Sequence, residues 1–231
     1  MMKWTGSAIA LTAVLVAAAM MPPLKAAEET PMITVYEANV TDMDGYKSQF
    51  LTAIQPKIDK AQERWLARGG KTTSLIGKAP ENRIVMSIFA SKARLDAFWA
   101  EAKDDFKIGQ KYSTGMRFFA MPAMTPLPTI SGTPTFEVYE ANVTDMENYK
   151  NEFLQALQPK MEKHKQVFLA RGSNAAETLI GEAPKNRIAI TVWPNAEAAQ
   201  AFWNDAKDDF KVGQKYATDM RIYEVEGVAQ K

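Results

Sequence analysis

The stretch Val35-Tyr36-Glu37-Ala38-Asn39-Val40-Thr41-Asp42-Met43 recurs without a change as Val138-Tyr139-Glu140-Ala141-Asn142-Val143-Thr144-Asp145-Met146. The match continues as far as Met121 in the first copy and Val225 in the second, with about half the aligned positions identical. A duplication of this size means two copies of one small domain built to work side by side, and two copies are too few for a solenoid. The expected organisation is a first repeat over 33–121, a proline-rich connector over 122–135 and a second repeat over 136–226.

Within the first copy, Ile33 to Val40 alternates and is rich in branched residues, which predicts a strand. Thr41-Asp42 offers a helix N-cap, and Met43, Tyr46, Phe50, Ile54 and Ile58 recur every three or four residues as one face of an amphipathic helix. Pro56, like Pro159 in the second copy, falls inside that helix and predicts a kink or break near Gln55 and Gln158. Thr72 to Ile76 and Arg83 to Phe89 read as strands joined into a hairpin by the turn residues Gly77 to Asn82. Ser91 caps a second helix with Leu95, Phe98 and Trp99 inward, a shorter helical piece follows over Phe106 to Tyr112, and Arg117 to Met121 is the closing strand. The order β-α-β-β-α-β is that of an α+β, ferredoxin-like unit with helices on one face of an antiparallel sheet.

The third strand sets Ile84, Met86 and Ile88 on one side and Val85, Ser87 and Phe89 on the other, and the copy repeats this with Ile188, Ile190, Val192 against Ala189, Thr191, Trp193. The uniformly aliphatic set is expected under the helices and the mixed set on a sheet face that docks on the other sheet. The connector Pro122 to Pro134 is semi-extended and holds the halves at high effective concentration, so an intramolecular, monomeric pseudo-dimer is expected.

Composition bounds the function. The 231 residues are 46% hydrophobic and 24% charged, as in ordinary globular proteins. The start follows a secretory signal: Lys3, an apolar run from Ala8 to Met21, then Pro22 to Ala27, with cleavage expected after Ala26. That places the mature protein in the periplasm or outside the cell, without stable membrane insertion. Removing Lys3 and Lys25 from the 28 basic residues leaves 26 against 27 acidic ones, a balance with no electrostatic footprint for nucleic acid. The chain has no cysteine, so each half is held by packing alone, and thiol catalysis and thiolate metal sites are excluded. No metal site or cofactor is expected.

Val35 to Asp42, Phe50, Leu66-Ala-Arg-Gly-Gly70, Arg83-Ile-Val85, Ala97-Phe98 and Arg117 together resemble DUF1330, a domain of unknown function, and the resemblance occurs twice. Leu169-Ala-Arg-Gly172 carries it in the second copy, where His164 stands at a position often held by histidine in that family and Ala61 replaces it in the first. The resemblance implies two ferredoxin-like sheets packed face to face as an intramolecular dimeric α+β barrel. It implies no reaction.

Candidate chemistry is sparse. Gly70-Lys71-Thr72 lacks the earlier glycine of a phosphate loop, since Trp65 stands there, and the copy reads Ser173-Asn174-Ala175. Arg68 and Arg171 could offer a planar fork to a ligand carboxylate, or instead pair structurally with Glu37 or Glu140. Asn39 and Asn142 share the strand face of those glutamates and carry the same two readings. Both asparagines match a glycosylation acceptor, but inside predicted strands. His164, the only histidine, is the candidate for moving a proton, or else a packed or solvated side chain. Trp65, Phe89, Trp99, Phe168, Trp193 and Trp203 either fill the core or line a cavity for a flat apolar ligand.

The leading expectation is an exported protein that binds a small apolar or carboxylate-bearing molecule. Its rivals are a cofactor-independent monooxygenase-like or isomerase-like enzyme of the α+β barrel type, with Arg171 orienting substrate and His164 moving a proton, and a structural or protein-interaction module.

Overall fold

The computed structural model describes residues 29–69, 71–172 and 176–229, so the expected signal sequence and the segment 173–175 lie outside the described residues. The first half runs β1 (Met32–Val40), α1 (Met43–Gly45), a π-helical turn (Tyr46–Leu51), α2 (Thr52–Ala61), β2 (Arg64–Arg68), β3 (Thr72–Ile76), β4 (Arg83–Phe89), α3 (Lys92–Gln110) and β5 (Ser113–Pro122). The second half repeats it as β6 (Thr135–Val143), α4 (Met146–Asn148), a π-helical turn (Tyr149–Leu154), α5 (Gln155–Lys163), β7 (Val167–Arg171), β8 (Glu177–Ile180), β9 (Arg187–Trp193), α6 (Ala196–Gly213) and β10 (Ala217–Glu226). Local chemistry sets several of these starts. Asp42 and Asp145 accept from the backbone N–H groups of Gly45 and Asn148, and Ser91 and Asn195 cap the long helices in the same way.

Two antiparallel sheets of five strands result, ordered β2-β4-β1-β5-β8 and β3-β10-β6-β9-β7. Each sheet is therefore built from both halves. Strand β3 leaves its own half and pairs with β10, with Thr72 opposite Val225, while β8 pairs with β5, with Glu177 opposite Ala120. This corrects the expected hairpin of Thr72–Ile76 with Arg83–Phe89. The edge of β4 is taken instead by β2, a strand absent from the expected order: Gln62 in the left-handed conformation ends α2, and Arg64–Arg68 continues as a strand. Glycine makes the crossing possible, because a Cβ on Gly181 would lie 2.4 Å from the Met116 carbonyl oxygen of the other half.

Two further expectations change. The helix does not break at Pro56 or Pro159; α2 and α5 run through them, and the irregularity sits one turn upstream as a π-helical turn. Proline cannot donate to the carbonyl four residues back, and a wider turn just before it accommodates that loss. The piece Phe106 to Tyr112 is not a separate helix, since α3 is continuous to Gln110.

The faces are the reverse of the expectation. Ile84, Met86 and Ile88 join Ile33, Val35 and Phe119 against Val138, Ile188, Ile190 and Val225, forming the dry layer between the two sheets. Val85 and Phe89 instead lie beneath the helices with Tyr36, Phe50 and Phe106. Aliphatic side chains interdigitate closely across a pseudo-two-fold axis, whereas the hydroxyls of the other face find partners under the helices of their own half, Thr34 Oγ1 lying 2.7 Å from Ser87 Oγ.

One end of the inter-sheet layer is closed by charge. Arg117 donates two hydrogen bonds to Glu140, at 2.7 and 2.5 Å, while Arg221 and the Tyr223 hydroxyl donate to Glu37 at 2.6 and 2.5 Å. Arg117 and Glu140 come from opposite halves and both are buried, and stripping one partner from such a pair costs about 3–5 kcal/mol. The connector packs Leu127 and Ile130 against the inter-sheet core and is pinned along its course, Met124 N–H donating to the Leu169 carbonyl at 2.7 Å.

Candidate functional site

Aliphatic side chains pack the layer between the sheets. An open cleft of about 670 Å³ lies at its charged end, where Glu37, Arg117, Glu140 and Arg221 meet Lys78 and Glu182. Two smaller, apolar recesses lie on the opposite faces, one beneath the helices of each half. The first, about 60 Å³, is walled by Tyr36, Tyr46, Phe50, Phe106 and Phe118, with Thr34, Glu63, Arg83 and Ser87 as its polar groups. The second, about 50 Å³, is walled by Tyr139, Tyr149, Phe153, Phe202 and Phe210, with Glu137, Gln166, Arg187 and Thr191. Partly exposed Gln55, Ile58 and Trp65 stand at the mouth of the first.

In each cavity two tyrosines meet hydroxyl to hydroxyl: Tyr36 and Tyr46 at 3.0 Å, Tyr139 and Tyr149 at 2.6 Å. One tyrosine comes from the repeated strand and the other from the π-helical turn, so the exact repeat Val35 to Met43 delivers half of each pair. Burial first, then the neighbouring phenol, pushes Tyr36 and Tyr139 far above the ordinary tyrosine range, so both stay protonated. Arg83 faces the Tyr46 ring and keeps its buried Nε without a hydrogen-bond partner.

The two cavities differ in where the acid stands. Thr34, Glu63 and Ser87 of the first half correspond to Glu137, Gln166 and Thr191 of the second, so the carboxyl group stands just before β2 in one half and near the start of β6 in the other. Ser87 Oγ donates to Glu63 at 2.7 Å, and burial pushes this acid up to about 7 against the pull of Ser87 and Arg68. Gln166 donates to Glu137 Oε1 at 3.2 Å, while Oε2 is buried without a partner. Burial, reinforced by Glu224 directly across the strand pair, pushes Glu137 up to about 8, with Gln166 and Thr191 opposing. A carboxyl group in this state is largely neutral at pH 7.

The residues singled out in the sequence are scattered by the fold. Arg68 lies at the rim of the first cavity, stacked over Trp65 and donating to Gln55 Oε1 at 3.0 Å. It does not pair with Glu37 or Glu140, which are held by Arg221 and Arg117. Arg171 is exposed over the Phe168 ring and does not line the second cavity. Asn39 accepts from Asn82 at 3.2 Å and Asn142 donates to Asp219 at 3.1 Å, both at the charged end of the barrel. His164 ends α5, 3.0 Å from Asp205 and edge-on to Phe202, outside the cavity lining. The hydrogen bonds from Lys163 and His164 draw Asp205 down to about 2. Of the aromatic candidates, Trp65 and Phe168 line the two recesses beneath the helices, Phe89 and Trp193 are core, Trp193 also bordering a recess beside the connector, and Trp99 and Trp203 pack at the helix flanks.

Sequence reasoning missed Glu63, Glu137 and the tyrosine pairs. One signal was present: a glutamate between Phe136 and Val138 in an alternating strand, standing where the other copy has Thr34. Among the described residues, no group of three or more His, Asp or Glu comes together to hold a metal, and no helix is long and apolar enough to cross a membrane.

With this geometry in view, the duplicated sequence can be placed. The sequence profile of the domain of unknown function DUF1330 matches residues 32–104 and again 134–228. The chain belongs to the DUF1330 family. No curated protein matches it in sequence. Among solved structures, a DypB variant of Rhodococcus jostii RHA1 in complex with heme is 10% identical with a TM-score of 0.51, covering 87% of this DUF1330 chain and 94% of its own. That likeness shows the fold, a dimeric α+β barrel made here within one chain. A heme-binding protein of Thermus thermophilus is 10% identical over 87% of this chain and 92% of its own, with a TM-score of 0.46. A chlorite dismutase variant of Candidatus Nitrospira defluvii is 11% identical over 89% and 93%, with a TM-score of 0.47.

Proposed function

We propose that this DUF1330 protein is a small-molecule binding protein with two ligand sites, the helix-covered cavities of its two halves, acting after export by its leader. One observation carries the reading: the same aromatic cavity, with a phenol pair, an arginine and one uncharged-leaning carboxyl group, is built twice. Convergent polar groups in an apolar recess are how small ligands are oriented. The cavity volumes favour ligands of a few heavy atoms, or a larger one inserting only its end.

A second reading is supported by Glu63. A carboxyl group poised near neutrality beside protonated phenols has the requirements of a general base with donors for the charge that develops, so the first cavity could take a proton from a bound carbonyl compound. Native mass spectrometry of the purified protein, with Val85→Trp and Ala189→Trp to fill one cavity each, tests the binding reading. A co-purifying mass lost stepwise with the two substitutions is expected; a retained mass in the doubly filled protein would contradict it.

A further inference from the structure

The second cavity holds a feature that binding in general does not require. Glu137 is 4% exposed, its Oε2 has no partner, and it lines the cavity among aromatic rings. An orphaned buried carboxyl oxygen is costly unless something completes it. Resting on the two-site reading above, we infer that the second cavity takes a small neutral carbonyl compound, whose oxygen hydrogen-bonds the partnerless Oε2 side of the Glu137 carboxyl group.

The surrounding charges select this class. Glu224 on β10 faces Glu137 across the strand pair and disfavours its ionisation. Arg187 on β9 lines the same cavity but acts on the phenols of Tyr139 on β6 and Tyr149 on the π-helical turn, not on Glu137. A cationic ligand would meet that guanidinium, and an anionic one would meet a carboxyl group flanked by a second. A neutral ligand meets neither penalty, and its carbonyl oxygen supplies the acceptor that Oε2–H lacks. The first cavity has no equivalent, because Thr34 occupies the position of Glu137, and Glu63 already receives a bond from Ser87.

Backbone-amide NMR titration of the full protein with cyclopentanone, cyclopentane and cyclopentylammonium tests this. Around the second cavity, cyclopentanone is expected to bind roughly tenfold tighter than cyclopentane at about pH 6, and the preference to vanish by about pH 9.5 as Glu137 ionises. Glu137→Gln, which keeps a donor but cannot ionise, is expected to retain the preference at both pH values. Glu224→Gln leaves the cavity wall intact and is expected to move the loss to lower pH. That direction tests the ionisation arm should Glu137→Gln not fold: removing the facing charge lowers the Glu137 pKa. Equal binding of cyclopentanone and cyclopentane at about pH 6, or tighter binding of the ammonium probe as pH rises, would overturn the carbonyl assignment while leaving a binding site in place. Failure of every probe in both cavities would overturn the two-site reading and this inference with it.

Discussion

At the scale of the residue, each helix-covered recess holds one carboxyl group that burial pushes toward neutrality. Glu137 and Glu63 are raised from the ordinary 4.5 to about 8 and about 7. The folded state therefore holds protons that the unfolded chain releases above about pH 4.5. The contribution of these two groups to stability is full below that value and declines as pH rises through the folded values. Glu137→Gln is expected to be increasingly more stable than the parent from about pH 5 to pH 8, on the order of a few kcal/mol at the upper end, read by urea unfolding at several pH values. A constant difference across that range would contradict the assignment. Little of this is legible in the sequence. His164, Arg68 and Arg171 draw attention by residue type, but a pKa follows from burial and neighbours, and Glu137 acquires both only when β10 brings Glu224 opposite it.

At the scale of the element, the repeated strand and the two helices of each half are legible because their apolar periods and caps are local properties. Asp42, Ser91 and the spacing from Tyr46 to Ile58 need no tertiary information. The exchange of β3 and β8 is not legible. A short, half-exposed strand such as Thr72–Ile76 can add to either sheet edge, and its choice depends on an edge built from distant sequence. The faces of β4 are legible as two sets but not as to which set meets which layer, since both layers are apolar. Glycine marks the exchange. Gly181→Ala is expected to cost about 2 kcal/mol or more, because the new Cβ meets the Met116 carbonyl oxygen, whereas Gly115→Ala, equally left-handed but open on all sides, is expected to cost about 1 kcal/mol. Thermal or urea unfolding checks both, and equal losses would argue against a tight crossing at Gly181.

At the scale of the whole molecule, duplication within one chain turns a symmetric pairing into an asymmetric one. The halves are bound by exchanged strands, by an aliphatic layer and by the buried Arg117–Glu140 pair, so neither sheet is complete without the other half. That shared scaffold leaves the two cavities free to diverge, and the carboxyl group has changed walls between them. The central claim is that small molecules enter beneath the helices and not between the sheets. Diffraction from crystals pressurised with xenon tests it most directly. Xenon is expected in the recess bounded by Tyr36 and Phe50 and in that bounded by Tyr139 and Phe153, with none beside Ile33, Val35 or Ile190; xenon between the sheets, with both recesses vacant, would contradict the account.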